Sequence, residues 1–243
     1  MVIHQQQSGM NYLALFLFIT LPTLLWAQPK ITEGKLFYDI TYQNLSEQMK
    51  GKESQLPHDA SFYFKNKKSR IEMGAGSLGK NVTITDQTKK LTIVLLNIYN
   101  KKFAILKTDS EMLEVRKSFQ PDTAKTVVKV EVINEQKKIA GYTCQKAIIT
   151  RTTNGIIKKS DCWFTKDLPS YNTQYDEAYK MIDGFLMQYN ITEAGMTMMM
   201  TVKMIMPIPI DDKMFEVPEG YRVLTEKELM KVLNVLQQDQ SGY

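Results

Sequence analysis

Methionine recurs with a period of two in the segment 196–206, which reads Met-Thr-Met-Met-Met-Thr-Val-Lys-Met-Ile-Met. Alternate side chains of a β-strand share one face. One face of this segment would therefore be lined almost wholly by thioethers. It would consist of Met196, Met198, Met200, Val202, Met204 and Met206.

Three interpretations of this methionine face remain open. Methionine fills irregular gaps in a protein core, and it also lines deformable apolar cavities that bind varied ligands. Thioethers are soft ligands for Cu(I) as well, although no His or Cys lies nearby in the sequence. We expect these methionines to point into the concave side of a sheet, towards the C-terminal helix. The favoured ligand-binding residues are therefore Met196, Met198, Met200, Met204 and Met206.

Two cysteines, Cys144 and Cys162, are the only ones in the chain. An isolated pair in an exported protein usually forms a structural disulfide, and two buried thiols are the alternative. A two-residue turn at Asn154-Gly155 would offset the cysteines by three positions, roughly 10 Å along a strand, which exceeds disulfide reach. The predicted disulfide therefore requires a longer loop or a bulge.

Catalytic residues do not stand out in this sequence. His58 is the only histidine outside the N-terminal segment, and it lies in an apparent loop. Aspartates cluster between Asp161 and Asp183, so a carboxylate pair for glycoside hydrolysis stays open, but Asp is also common in turns and at helix starts. No metal-ligand spacing is present. We expect a protein that is not an enzyme and that has no cofactor and no metal.

The N-terminal segment is typical of a signal peptide. An apolar run from Tyr12 to Trp26 ends at the small residue Ala27, before polar sequence. The run is short for a membrane span, which needs about 20 apolar residues. We expect cleavage after Ala27, leaving 28–243 as a single domain in the periplasm or otherwise exported. An uncleaved anchor is the alternative, because no Lys or Arg precedes the run.

The net charge of +5 comes from lysines spread over several turns, with few and scattered arginines. A nucleic-acid surface clusters arginine with aromatic residues. The charge pattern therefore argues against nucleic acid as a partner, and any envelope partner stays unidentified.

Short alternating apolar runs predict a mainly β protein. Leu36, Tyr38, Ile40 and Tyr42 alternate with Phe37, Asp39 and Thr41, as in a half-buried strand. Asn154-Gly155 between two β-branched runs is a strong hairpin signal. Sequential short strands of this kind favour an antiparallel meander.

Two helices are predicted near the C-terminus. A short one is expected over 176–182. A longer one should run from about Glu226 to Gln238, since Thr225 and Glu228 form a capping box and Leu224 and Leu229 a hydrophobic staple. Its apolar stripe should pack on the sheet.

Two motifs are similar to those of secreted Bacteroidetes proteins. Ile139-Ala-Gly-Tyr-Thr-Cys-Gln-Lys-Ala147 and Cys162-Trp-Phe-Thr-Lys-Asp-Leu-Pro169 resemble the pattern of the GLPGLI family and of related proteins with LolA/LolB-like domains. Phe215-Glu-Val-Pro-Glu-Gly-Tyr221 before a final helix resembles the closing segment of the LolA-like group. The GLPGLI hexapeptide itself is absent.

The resemblance implies a curved antiparallel half-barrel whose apolar face holds a hydrophobic ligand, such as a lipid or lipoprotein acyl chain. The alternative is a structural or protein-interaction role in the cell envelope, with a packed barrel that holds no ligand.

Overall fold

The computed structural model describes residues 31–45, 47–74, 80–98, 100–118, 126–171, 176–193 and 196–240. The predicted signal peptide, residues 1–27, lies outside these ranges.

The described part of the chain contains twelve strands, three α-helices and three short 3-10 helices. The strands are β1 (Glu33–Asn44), β2 (Asp59–Lys65), β3 (Lys68–Gly74), β4 (Lys80–Asp86), β5 (Leu91–Ile98), β6 (Lys101–Thr108), β7 (Thr126–Ile139), β8 (Tyr142–Thr153), β9 (Ile156–Thr165), β10 (Phe185–Glu193), β11 (Met196–Met206) and β12 (Arg222–Leu224). The α-helices are α1 (Asp109–Ser118), α2 (Glu177–Lys180) and α3 (Glu226–Gln240), and the 3-10 helices are Glu47–Met49, Glu53–Gln55 and Asp212–Phe215.

All twelve strands form one curved sheet that does not close, in the order β12-β6-β5-β4-β3-β2-β1-β11-β10-β9-β8-β7. Strands β1 to β6 form one meander and β7 to β11 another, and the pairing of β1 with β11 joins the two. Neighbours run antiparallel except that β12 runs parallel to β6. The predicted mainly β half-barrel with a C-terminal helix is therefore confirmed.

Two-residue turns set the register of several hairpins. Asn154 and Gly155 have φ values of 51° and 79°, and Ala140 and Gly141 have φ values of 48° and 86°. Turns with positive φ at both central positions match the twist of antiparallel strands. The hairpin predicted at Asn154-Gly155 is confirmed, and its turn is the tight one.

The largest core cluster lies on one face of the sheet, which we call the inner face and define by Leu36, Phe62 and Met200. Leu36 and Met200 are fully buried there, and Phe62 packs against them half-buried. Further aliphatic and aromatic side chains from β1, β2, β10 and β11 complete the cluster. Burial of this apolar surface is the main term that stabilises the fold.

The segment from Leu168 through α2 covers one part of the inner face. Leu168 is buried in the main cluster, and the Tyr171 ring lies 6.0 Å from that of Phe62. Helix α2 contributes Ala178 and Tyr179 to a second cluster over β8 and β9. Asp176 caps this helix by accepting a hydrogen bond from the Ala178 N–H at 3.0 Å, so the short predicted helix is confirmed.

Helix α3 packs at the other end of the sheet. The predicted capping box is present, because the Thr225 N–H donates to the Glu228 carboxylate at 2.8 Å and the Glu228 N–H donates to Thr225 Oγ1 at 3.3 Å. Leu224 and Leu229 are buried in one cluster with Phe103 of β6. Because β12 leads into α3 and six strands separate β12 from β11, the expectation that α3 lies over the methionine strand is wrong.

The opposite face, which we call the outer face, is covered over β4 to β6 by the segment 207–221. Ile210 and Phe215 pack on Ile84 and Leu95. Lys65 Nζ donates to the Ile210 carbonyl at 2.7 Å, which ties this segment to β2. At β5 and β6 the sheet is therefore covered on both faces, by this segment on the outer face and by α3 on the inner face.

Candidate functional site

A β-bulge at Lys203 divides the methionine strand. Ile40 and Tyr38 of β1 pair with Met200 and Val202 of β11, but Phe37 then pairs with Met204. One step along β1 thus corresponds to two steps along β11 at this point, as in a bulge. Since adjacent residues of β1 point to opposite faces, the bulge moves the strand's later even-numbered positions to the outer face.

The predicted methionine face is therefore only partly formed. Met200 is fully buried on the inner face, and Met198 is half-buried against the same cluster. Met196 is half-buried at the start of the strand. Met204, 47% exposed, and the half-buried Met206 follow the bulge, and Ile205 takes their expected place in the cluster. The prediction that all five share one inward face is wrong for Met204 and Met206.

A transverse row of paired residues traces the inner face from helix α3 to β11. Residues directly opposite each other on paired strands point to the same face. The row consists of Leu224, Ile105, Val94, Thr83, Ile71, Phe62, Leu36 and Ile205. Both α3 and the α2 segment therefore lie on the same side of the sheet.

Between these two covers lies a strip of half-buried side chains, which we call the inner strip and define as Phe62, Ile71, Met73 and Thr83. None of the four reaches full burial, whereas Leu224 and Ile105 towards one end of the row and Leu36 towards the other are buried. Apolar side chains left half-exposed between two covers offer a contact surface for an apolar ligand. Among the described residues, this strip is the candidate site.

Aromatic side chains border the inner strip. Phe62 lies 6.3 Å from Tyr38 and 5.8 Å from Phe185 between ring centroids, in edge-to-face geometry. Tyr38 and Tyr189 form a further edge-to-face pair at 6.2 Å. The period-two alternation of β1 and the run Ser61-Phe-Tyr-Phe64 indicate strands that contain Tyr38 and Phe62. Neither pattern indicates that these residues belong to a site.

The buried tyrosines are held neutral. Burial, together with the neighbouring Tyr189, raises the pKa of Tyr38 well above its usual value. Burial also raises the pKa of Tyr189 to about 12. Both phenols therefore stay protonated near neutral pH.

Cys144 and Cys162 are both buried, and both are free thiols. The tight turn places Ala147 opposite Cys162 and Gln145 opposite Phe164, with no register shift between β8 and β9. The cysteines are thus three positions out of register, so the predicted disulfide is wrong. Burial raises the pKa of Cys144 to about 11 and that of Cys162 to about 12, which leaves both unreactive near neutral pH.

The clustered aspartates serve as structural partners. Asp176 accepts two hydrogen bonds from Arg151 Nη2, at 3.1 and 3.2 Å, besides capping α2. Asp183 pairs with Lys166, and Asp161 with Lys146. His58 is exposed, with its ring edge-on to Tyr42. Asp176 at the start of α2 and His58 in a loop fit the expected helix starts, turns and loop. Asp161 does not, because it lies within β9.

Two open clefts of about 220 Å³ each are the best-formed hollows in the described part of the chain. One is lined mainly by polar residues near Gln145 and Asp167, and the other lies on the outer face beside Phe215. Both are smaller than typical small-molecule pockets, which measure about 300–1,000 Å³.

No group of three or more potential metal ligands occurs within the described ranges. None of the helices described is long and apolar enough to span a membrane.

A family profile, "Domain of unknown function (DUF4412)", matches residues 46–178. That span is more than half of the chain. The chain belongs to this family. The match runs from the loop before β2 into α2. It includes both cysteines and all four residues of the inner strip, and it ends before β11. A search of curated proteins finds no match.

Proposed function

We propose that this protein is a non-catalytic binding protein that holds a hydrophobic ligand, such as a lipid or lipoprotein acyl chain, on the inner strip. The observation that carries the proposal is the row of half-buried apolar side chains left between the α2 segment and α3. A ligand there would lie along the sheet and complete the burial of Phe62, Ile71 and Met73. The choice of a lipid as the ligand rests on the resemblance to LolA-like proteins.

Side-chain chemistry supports an adaptable apolar contact. Met73 and Met198 are half-buried and pack against the main cluster. Unbranched thioether side chains can change rotamer to fit differing chains. Threonine at position 83 adds a hydroxyl that suits the boundary between an acyl chain and a polar headgroup. Asp161, Asp176 and Asp183 hold ion pairs with lysine or arginine side chains, which supports a binding role over a catalytic one.

A fluorescent fatty-acid probe tests this proposal. Met73→Asp should weaken probe binding by about ten-fold or more, because a carboxylate on the strip would have to be desolvated against the probe's acyl chain. Met204→Asp is the matched control: it makes the same change on the outer face and should leave probe binding unchanged. Native mass spectrometry of gently purified protein should also show bound lipid. Equal binding by both variants would refute the proposed site.

A second candidate is a structural or protein-interaction role in the envelope without a bound ligand. It is favoured by the close packing of the core, in which Met187 and Met200 are fully buried, and by the small size of the clefts. This role predicts no co-purifying lipid and no change of melting temperature when fatty acid is added. The first candidate predicts co-purifying lipid and a higher melting temperature when fatty acid is added.

We also propose that the chain is exported and processed between Ala27 and Gln28, which would place the sheet in the periplasm or elsewhere outside the cytoplasm. The support is the apolar run that ends in a small residue before polar sequence. N-terminal sequencing of protein recovered from the cell envelope should begin at Gln28. A chain that begins at or before Tyr12 would contradict this.

A further inference from the structure

The two ends of the sheet differ sharply in length. One end is β12, three residues long and followed directly by α3. The other is β7, fourteen residues long, for which β8 is the only strand partner in the described part of the chain. A long edge strand presents unpaired N–H and C=O groups that can pair with another strand. A short edge strand offers few such groups to another chain, whereas β7 offers a long row of them.

The N-terminal half of β7 also exposes apolar side chains. Val127 is 66% exposed and Val132 is 49% exposed. Val128 and Val130 are half-buried because they extend the cluster under α2. A strand added beside β7 would cover this surface and continue the cluster across the new pair.

The regular pairing of β7 with β8 is interrupted after Ile133. A shift between Ile133 and Gln136 in the pairing with β8 marks a bulge at Asn134 and Glu135. Bulges interrupt regular pairing. The regular part of the free edge is therefore the segment from Val127 to Ile133, which reads Val-Val-Lys-Val-Glu-Val-Ile.

This segment is complementary to its own antiparallel copy. With Val130 opposite Val130 of a second copy, each Lys129 faces a Glu131 and each Glu131 faces a Lys129. The remaining partners are all aliphatic. Lys129 and Glu131 already lie side by side on one face of the strand, 3.6 Å apart at their charged atoms, so both cross-strand pairs would form on that face.

Neighbouring registers lack this complementarity. A shift by two positions in one direction places Lys129 opposite Lys129, and in the other direction Glu131 opposite Glu131. A shift by one position places both charges opposite valine. Like charges directly opposite destabilise a strand pair, and opposite charges stabilise it, so the charge pattern selects the register centred on Val130.

We propose that a second copy of this chain pairs with β7 through Val127–Ile133, antiparallel and centred on Val130, to give a two-fold symmetric dimer with one continuous sheet. Such an interface is isologous, since the same segment contributes both sides. Valines 128, 130 and 132 of the two copies would form one apolar ladder beside the two α2 helices.

Charge reversal tests the proposal, with the full chain expressed and the protein purified in its cellular form. The wild type should show a concentration-dependent dimer by sedimentation velocity and light scattering. Lys129→Glu and Glu131→Lys each place like charges at both cross-strand positions. Each should weaken the dimer by about ten-fold or more. The doubly reversed variant restores both pairs and should dimerise like the wild type.

Mixing the two single variants gives the sharpest readout. Lys129→Glu mixed with Glu131→Lys should form a heterodimer that is tighter than either homodimer, because every opposite pair is then complementary. Lys138→Glu makes the same change of charge beyond the bulge and should not alter dimerisation. Circular dichroism should show all variants folded. A wild type that stays monomeric at hundreds of micromolar, or single variants that dimerise as well as the wild type, would overturn the proposal.

Discussion

The bulge at Lys203 predicts opposite consequences for two methionines of the same strand. Met200 precedes the bulge and is fully buried, whereas Met204 follows it and is 47% exposed. In an unbroken strand the two side chains would share a face. We therefore expect Met200→Ala to be strongly destabilising and Met204→Ala to be nearly tolerated.

The expected magnitudes follow from burial. Truncation of a buried methionine to alanine costs about 2–5 kcal/mol, since transfer free energy is lost and a cavity remains. Full burial of a methionine side chain is worth about 1.5–3 kcal/mol, so the half-exposed Met204 should cost about 1 kcal/mol. For a chain of this size each kcal/mol shifts the melting temperature by about 2–4 °C. At a mid-range loss of about 3 kcal/mol, we expect the melting temperature to fall by about 6–12 °C for Met200→Ala.

Urea unfolding followed by the fluorescence of Trp163 measures both variants. The slope of unfolding free energy against urea should be unchanged, so that the midpoint reports stability directly. Met198→Ala, at a half-buried position before the bulge, should fall between the other two. Equal losses for Met200→Ala and Met204→Ala would show that the strand is regular, and would refute the bulge and the assignment of faces built on it.

Further predictions concern the thiols, a glycine and a helix cap. Cys144 and Cys162 should both react with iodoacetamide only after unfolding, as mass spectrometry can show, and an intact-mass shift of about 2 Da on reduction would contradict their free state. Because burial raises both thiol pKa values from 9.0, to about 11 and about 12, the folded chain holds protons that the unfolded chain releases. The free energy of unfolding should therefore fall as pH rises from about 9 to about 11 in urea titrations. Gly184→Ala should cost about 1–3 kcal/mol, since its Cβ would lie 2.7 Å from a backbone oxygen of β9, whereas Gly74→Ala, with open space around it, should change the melting temperature little. Thr225→Ala should lower unfolding free energy by about 1 kcal/mol through loss of the α3 cap, and an unchanged urea midpoint would contradict the observed capping bonds.

Local sequence patterns predicted most of the elements. Alternation of apolar and polar residues predicted β1, and Asn154-Gly155 predicted the β8–β9 hairpin, because both signals arise within a few residues. The capping box at Thr225 predicted the start of α3. Helix α1 was missed, although Thr108 and Glu111 form a second capping box with bonds of 2.7 and 3.3 Å; the same signal could have found it.

The candidate site was less accessible from the sequence. A period of two placed Met204 with Met200, but a bulge adds one residue whose position depends on the partner strand. At this bulge the partner strand is β1, some 160 residues earlier in the chain. The inner strip likewise depends on where α2 and α3 pack. The sequence predicted both helices but placed α3 over the methionine strand, which is wrong.

The cysteines show the same division. The sequence alone stated the condition under which a disulfide would fail, since a tight turn at Asn154-Gly155 puts Cys144 and Cys162 three positions out of register. The sequence by itself thus determined a mainly antiparallel β chain, its hairpins and its final helix, because those depend on contacts between near neighbours. Only the tertiary structure decided which residues share a face, which strands lie at the edges and what covers the inner strip. Those outcomes depend on pairings between distant segments, whose registers are set by the packing of the whole sheet.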